Sequence, residues 1–154
     1  ANFNPTFLNF MVTLKANYQE TLNPETVKVI DELVDDYQNY GLDEILDFVD
    51  TYGESNINHF EDYIYLVNNV YAYGREQEVI EEYIDCIGGI KYVSSIDVDC
   101  YLGNYDSKED FIDQHELIDE SIPNWLVIDY DATWEANLRH DYYWSDNDDV
   151  WRIH

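Results

Sequence analysis

The residues with the clearest capacity for chemistry are carboxylates, because the 154-residue chain carries 34 Asp and Glu against 7 Lys and Arg. Two neighbouring carboxylates can serve as the acid and base of a glycosidase, or hold the metal ions of a nuclease. With so many acids, close pairs arise by chance, so pairing alone does not indicate a reaction. The acidic runs 129–131 and 146–149 lack the central Gly and the closing Glu of a calcium loop.

No other motif in the sequence points to catalysis or to a bound cofactor. There is no Gly-rich phosphate loop, no G-x-S-x-G and no H-E-x-x-H, and the four histidines share no metal-ligand spacing. Cys86 and Cys100 are too few for a disulfide framework and are not spaced as metal ligands. We therefore expect no enzyme activity, no cofactor and no metal; a pocket with convergent acids would instead favour a small hydrolase.

The charge balance restricts the possible partners. A formal net charge of −27 repels DNA, RNA and anionic membranes. Hydrophobic residues make up 45% of the chain and aromatic residues 16%, which is too apolar for a disordered acidic tail. No apolar run is long enough to span a bilayer, and the first ten residues lack a secretory signal pattern. The sequence predicts a folded cytoplasmic protein that binds a strongly basic protein surface, with no nucleic acid or membrane partner.

The charge density approaches that of duplex DNA. A compact chain of this length has a radius of gyration of about 15 Å and is about 40 Å across. The same length of duplex carries roughly 23 negative charges, close to the net charge of this chain. Solubility alone needs a net charge of magnitude only about 2 to 8. Another selective pressure therefore maintains the carboxylates, and adaptation to high salt is one alternative to binding.

Four segments of the N-terminal half have the apolar spacing and boundary residues of helices. Asn23 and Pro24 suit the start of the first helix, and Gly41 would end it as a left-handed residue. Asn56 is expected to cap the third helix, and Gly74 precedes the fourth. The predicted helices cover residues 24–40, 42–51, 57–67 and 75–84.

The C-terminal half has a mixed pattern. Residues 90–98 read as a strand, Asp106 and Glu109 resemble a capping box, and Pro123 is expected to begin a helix that reaches Leu138. A hairpin is predicted from residues 142–144, a turn at 145–148 and residues 150–153. The predicted class is α+β and predominantly helical, with an acidic helical region at 1–88 and a small α+β domain at 89–154.

The acids concentrate on the predicted helix faces opposite the apolar stripes. Several are like-charged i,i+4 pairs, such as Asp31 with Asp35 and Asp106 with Asp110, and each such pair costs roughly 0.2–0.5 kcal/mol. A sequence selected for stability would place Lys at half of these positions. The residues expected to contact a basic partner are Asp31, Glu32, Asp35, Asp36, Asp43, Glu44, Asp47, Asp50, Glu61, Asp62, Glu78, Glu81, Glu82, Asp85, Asp106, Glu109, Asp110, Asp113, Asp129 and Asp131.

The C-terminal part of the sequence resembles the ArdA antirestriction family, which comprises DNA-mimic proteins of plasmids, transposons and phages. The resemblance is carried by the segments YDSKEDF (105–111), IPNWL (122–126), IDYDA (128–132) and the ending DYYW (141–144) with VWR (150–152). Residues 42–70 resemble, more loosely, the acidic helical middle region of that family. About two thirds of the chain is covered in this way.

The resemblance implies a homodimeric antirestriction inhibitor whose surface imitates bent DNA in the channel of a type I restriction-modification methyltransferase. Tyr142, Trp144 and Trp151 are candidate dimer-interface residues. Charge mimicry is generic, so other targets stay open, including a CRISPR effector, a histone-like protein or another defence complex. An acidic scaffold or chaperone for a basic partner is an alternative from another functional class.

Overall fold

The computed structural model describes residues 17–35 and 40–153. In the N-terminal half, residues 17–21 are helical and precede α1 (Pro24–Asp35), α2 (Leu42–Tyr52) and α3 (Phe60–Asn69), with a 3-10 helix at Glu54–His59. Helix α4 (Glu76–Ile87) follows and ends at two glycines with positive φ, Gly88 and Gly89. These bounds agree with the helices predicted at 42–51, 57–67 and 75–84 to within a few residues.

The C-terminal half contains the sheet. Strand β1 (Tyr101–Asn104) is followed by α5 (Lys108–Gln114), α6 (Tyr130–Ala136), β2 (Tyr142–Trp144) and β3 (Asp149–Arg152). The strand order is β1-β3-β2 and both pairings are antiparallel, with Tyr101 opposite Trp151 in one pair and Trp144 opposite Val150 in the other. The predicted hairpin and the predicted α+β, predominantly helical class are confirmed.

The described residues divide into two compact units. The N-terminal unit comprises residues 17–35, 40–64 and Gly88–Ser94, and the C-terminal unit comprises Tyr65–Ile87 and residues 95–153. The grouping does not follow a single cut of the chain, because α4 belongs with the C-terminal sheet. The boundary predicted near residue 88 stays a prediction about domains.

Aromatic and aliphatic side chains of α1, α2 and α3 form the core of the N-terminal unit. Ile30, Ile45 and Leu46 are fully buried. The ring of Phe48 lies 5.4 Å from that of Phe60, measured between centroids, in an edge-to-face arrangement that aromatic pairs favour. The amphipathic spacing of these helices directs such residues inward and leaves their acids outside.

The core of the C-terminal unit is built around Phe111 and Trp151. Phe111 packs with Tyr105, Ile112, Trp134 and Val150 in one buried cluster. Elsewhere in this unit, Tyr83 of α4 stacks on Trp151 of β3, with ring centroids 4.2 Å apart and nearly parallel planes. Burial raises the pKa of Tyr83 to about 12, so this side chain is neutral at physiological pH.

Three local predictions are wrong. Residues 90–98 form 3-10 helices at Ile90–Ser95 and Val98–Cys100 instead of a strand; Ile90 and Val93 are buried three residues apart, as a 3-10 repeat requires. Gly41 has φ −68° and precedes α2 as its N-cap, so it is not a left-handed residue. Asn56 is not an N-cap: its side-chain amide donates to the carbonyl oxygen of Tyr52 at the end of α2.

The predicted helix 123–138 is also wrong at its start, because α6 begins at Tyr130. Asp129 is its N-cap, and the side chain accepts a hydrogen bond from the N–H of Ala132 at 3.0 Å. Residues 121–127 are exposed, so a helix there would gain no burial. Among the residues that the structure describes, no helix combines the length and the apolar character needed to cross a bilayer.

Candidate functional site

Most of the predicted acids of the N-terminal unit lie on exposed helix faces. On α1, Glu32 and Asp35 are exposed, while Asp31 is half-buried and accepts a hydrogen bond of 2.7 Å from the hydroxyl of Tyr18. Asp36 lies outside the described residues. On α2 and α3, Asp47 is half-buried; the exposed predicted acids there are Asp43, Glu44, Asp50, Glu61 and Asp62.

The predicted acids of the C-terminal unit lie on α4, on and just before α5, and at the N-terminus of α6. Asp106 precedes α5 and is not part of it, so the predicted helical pair of Asp106 with Asp110 is wrong. Within α5, Glu109 and Asp113 are four residues apart and both are exposed. The exposed predicted acids of this unit are Glu78, Asp85, Asp106, Glu109, Asp110, Asp113, Asp129 and Asp131; Glu81 and Glu82 are half-buried.

Some of these carboxylates also hold the C-terminal unit together. Glu82 accepts a hydrogen bond from the N–H of Asp146 at 2.9 Å, and Glu78 accepts one from the amide of Asn147 at 3.1 Å. Through these two bonds α4 is tied to the β2–β3 turn. Asp113 similarly accepts from the hydroxyl of Tyr130 at 3.1 Å. These acids therefore have structural roles that the sequence pattern did not indicate.

Several cations of the C-terminal unit contact groups other than the exposed predicted acids. Arg75 pairs with Asp149, and the ammonium group of Lys108 lies over the ring of Trp144, 4.8 Å from its centroid. Arg139 pairs with Glu135 at 3.9 Å, an exposed i,i+4 contact that stabilises little. None of α1 to α6 has a basic residue in its last turn, where a cation would interact favourably with the helix dipole.

One carboxylate that the sequence did not single out is fully buried. Asp149 pairs with both terminal nitrogens of Arg75, at 3.1 and 3.2 Å. Its Oδ1 also accepts hydrogen bonds from the hydroxyl of Tyr101 at 2.8 Å and from the amide of Asn104 at 3.3 Å. Asp149 raises the pKa of Arg75, and burial together with this hydrogen bond raises the pKa of Tyr101. Asp149 is the last residue of the acidic run 146–149, so nothing in the sequence distinguishes it from its exposed neighbours.

Arg75, Asp149, Tyr101 and Asn104 form a structural cluster. Both oxygens of Asp149 accept hydrogen bonds, from Arg75 just before α4 and from Tyr101 of β1. These bonds replace the water that the buried charge loses on folding. No group of three or more His, Cys, Asp or Glu in the described part of the chain is arranged to hold a metal ion. Cys86 and Cys100 are free thiols.

The candidate dimer-interface residues do not form an exposed surface. Trp151 is fully buried within the C-terminal unit, so the prediction for this side chain is wrong. Tyr142 and Trp144 are half-buried and pack against the cluster around Phe111. Strand β3 pairs with β1 on one side and with β2 on the other, so Trp151 lies in the central strand of the sheet, a position that sequence alternation alone could not establish.

The helices thus present dispersed carboxylates, with few cations beside them, on the surfaces of both units. This arrangement can attract and pair with Lys and Arg of another protein. Comparison of the chain with protein-family models, with curated proteins and with solved structures finds no match.

Proposed function

We propose that this protein is a DNA mimic that occupies the DNA-binding channel of a host defence enzyme. A type I restriction-modification methyltransferase is the first target to test, on the basis of the ArdA-like segments. The protein would then act as a competitive antirestriction inhibitor of phage or mobile-element origin in the bacterial cytoplasm, and as a homodimer. It would perform no catalysis itself.

The observation that carries the proposal is the exposure of carboxylates on one described helix after another, with no basic residue in the last turn of any of α1 to α6. Examples are Glu44 and Asp50 on α2, Glu61 and Asp62 on α3, and Glu109 on α5. Acids also stand in places where they weaken the fold, such as Asp50 near the C-terminus of α2. A role in binding would explain why acids stand at such positions.

The proposed mechanism is competition by charge. Carboxylates take the places of DNA phosphates, pair with Lys and Arg of the channel and release the anions bound there. Each exposed pair contributes about 0.2–1 kcal/mol, so the affinity comes from many contacts and no single acid dominates. Binding should weaken steeply as the salt concentration rises, because the contacts are exposed and screened.

The first experiment is displacement of a labelled cognate duplex from a type I methyltransferase, measured at low and at high salt. Stoichiometric displacement that fades with salt supports mimicry. Failure to displace the duplex at low salt contradicts this target. If the protein displaced DNA equally well from an unrelated basic protein, the result would instead support an acidic scaffold that binds basic surfaces without imitating DNA.

A charge-neutral variant tests the acids of α2 and α3 directly. Glu44→Gln, Asp50→Asn, Glu61→Gln and Asp62→Asn together remove four exposed charges from the N-terminal unit. We expect the apparent Kd to rise at least about tenfold at low salt, and the slope of log Kd against log salt to fall by roughly one per lost contact. The displacement assay measures both quantities.

The matched control keeps the charge at the same positions, as Glu44→Asp, Asp50→Glu, Glu61→Asp and Asp62→Glu. It should bind within about threefold of the unmodified protein, because screened charge contacts tolerate small shifts in position. Equal losses in the control and the neutral variant would point to side-chain packing in place of charge. An unchanged affinity in the neutral variant would remove α2 and α3 from the mimic surface.

A further inference from the structure

A loop of the C-terminal unit exposes large apolar side chains that charge mimicry does not use. In the apolar loop, residues 121–128 between α5 and α6, Trp125 is 79% exposed and Val127 is 97% exposed. Ile122 and Leu126 in the same loop are exposed as well. A soluble protein seldom leaves neighbouring large apolar residues in water, and such patches mark interaction sites.

Hydrogen bonds hold the apolar loop in a defined shape. The N–H of Ile122 donates to the carbonyl oxygen of Asp119 at 3.1 Å, and the N–H of Leu126 donates to that of Pro123 at 3.0 Å. The Asp119 carboxylate accepts from the N–H of Ser121 at 2.8 Å. These two successive turns present Trp125 without the entropy loss that ordering a flexible segment would cost on binding.

The surroundings of the apolar loop are acidic. From Glu116 to Glu135 the chain has six acids and no Lys or Arg. Asp119 and Glu120 line the same open groove, of about 350 Å³, as Ile122 and Leu126. The N–H of Ser121 lowers the pKa of the Asp119 carboxyl, which is therefore charged at neutral pH.

These charges distinguish between two occupants. A symmetric contact through this loop with a second copy would bring Asp119 and Glu120 of both chains together with no cation from this segment to offset them. A protein with an apolar pocket surrounded by Lys and Arg satisfies both the apolar tip and the acidic margin. Charge complementarity therefore favours a basic partner.

We infer that the apolar loop is an anchor, in which Trp125 and Val127 enter an apolar pocket of the basic partner while Asp119 and Glu120 face its cations. This inference rests on the proposed function and deepens it. The dispersed carboxylates would speed association, whereas the anchor contributes a share of the affinity that salt does not screen. The anchor would also select among basic proteins, because charge alone does not.

The test compares a loop variant with an aromatic control in the duplex-displacement assay with a type I methyltransferase. The loop variant is Trp125→Ser with Val127→Ser, and the control is Tyr65→Ala, which removes a 60% exposed ring from α3. We expect the loop variant to raise the apparent Kd by about 30-fold at both salt concentrations, as loss of a buried Trp anchor does. Its salt slope should equal that of the unmodified protein.

Further measurements make each outcome decisive. Trp125→Phe should recover most of the affinity, Tyr65→Ala should change it less than about twofold, and thermal unfolding should show that all three variants are folded. An apparent Kd of the loop variant within about twofold of the unmodified protein would overturn the anchor. The anchor would also be overturned if sedimentation showed that the unmodified protein is a dimer and that Trp125→Ser with Val127→Ser makes it a monomer.

The two proposals fail in different ways. If the unmodified protein displaces the duplex and the loop variant does so equally well, the anchor is wrong and the mimic mechanism stands. If the unmodified protein does not displace the duplex at low salt, the proposed function fails for this target and the anchor, which depends on it, falls too.

Discussion

Asp146 and Asp149 lie in the same hairpin, yet their carboxylates meet opposite surroundings. Asp146 is exposed in the turn, whereas Asp149 is fully buried and is hydrogen-bonded by Tyr101, Asn104 and Arg75. A buried charge is tolerated only when its partners replace water, and these three donors do so. One residue type therefore occupies two environments, one buried and fully hydrogen-bonded and one exposed to water.

Replacing Asp149 with Asn should destabilise the protein by about 2–4 kcal/mol, because Arg75 loses its counter-charge and an amide N–H₂ meets its guanidinium group. The measurement is the free energy of unfolding in urea. Asp146→Asn removes the same charge from the turn of the same hairpin and is the matched control; it should change the free energy by less than about 0.5 kcal/mol. Equal effects of the two substitutions would contradict the structural role of Asp149.

Among the secondary-structure elements, α5 shows how a helix start is decided by geometry. The sequence suggested a capping box of Asp106 and Glu109, but the N-cap is Ser107, whose hydroxyl accepts a hydrogen bond from the N–H of Asp110 at 3.1 Å. Ser107 has the extended backbone conformation of an N-cap, and Asp106 lies one residue outside. Phe111, at the centre of the C-terminal core, depends on this helix.

Ser107→Ala should therefore cost about 1 kcal/mol of stability, through an uncapped N–H at the start of α5. Asp106→Ala should cost less than about 0.5 kcal/mol, because the residue is exposed and does not cap. Both values come from urea unfolding followed by tryptophan fluorescence, since Trp134 and Trp144 belong to the same core. A larger loss for Asp106→Ala than for Ser107→Ala would show that the helix starts one residue earlier in solution.

For the molecule as a whole, the dominant physical quantity is the net charge of −27. Self-repulsion opposes folding and is offset by aromatic and aliphatic burial in both units, including Phe48 and Phe60 in one and Phe111 and Trp151 in the other. Whether the carboxylates serve a basic partner or tolerance of salt, they act on stability through the same repulsion.

Stability should consequently rise with ionic strength. We expect the free energy of unfolding to increase by more than about 1 kcal/mol between about 20 mM and 500 mM NaCl, because the Debye length shortens from tens of ångströms to a few. The neutral variant of α2 and α3 should show a smaller increase than its charge-keeping control. A free energy of unfolding that does not change with salt would mean that repulsion contributes little to the folded state.

Elements with strong local signals could be predicted from the sequence. The helices at 42–51 and 75–84 and the terminal hairpin have clear amphipathic or turn patterns, and the structure has them at nearly the same bounds. The predictions of a strand at 90–98 and of a helix over 123–129 are wrong, because β-branched residues and a Pro are compatible with several local structures. Burial of Ile90 and Val93, and capping by Asp129, decide between those structures.

The charge, the α+β class and the amphipathic faces that leave most acids in water could all be predicted, since they follow from composition and from short-range periodicity. The burial of Asp149 with Arg75, the core position of Trp151 and the exposure of Trp125 depend instead on how the chain packs in three dimensions. Residues 75 and 149 meet through packing of α4's segment against the sheet. No local pattern encodes a contact between residues that far apart, so the same residue types, Asp and Trp, acquire different roles according to where the chain brings them.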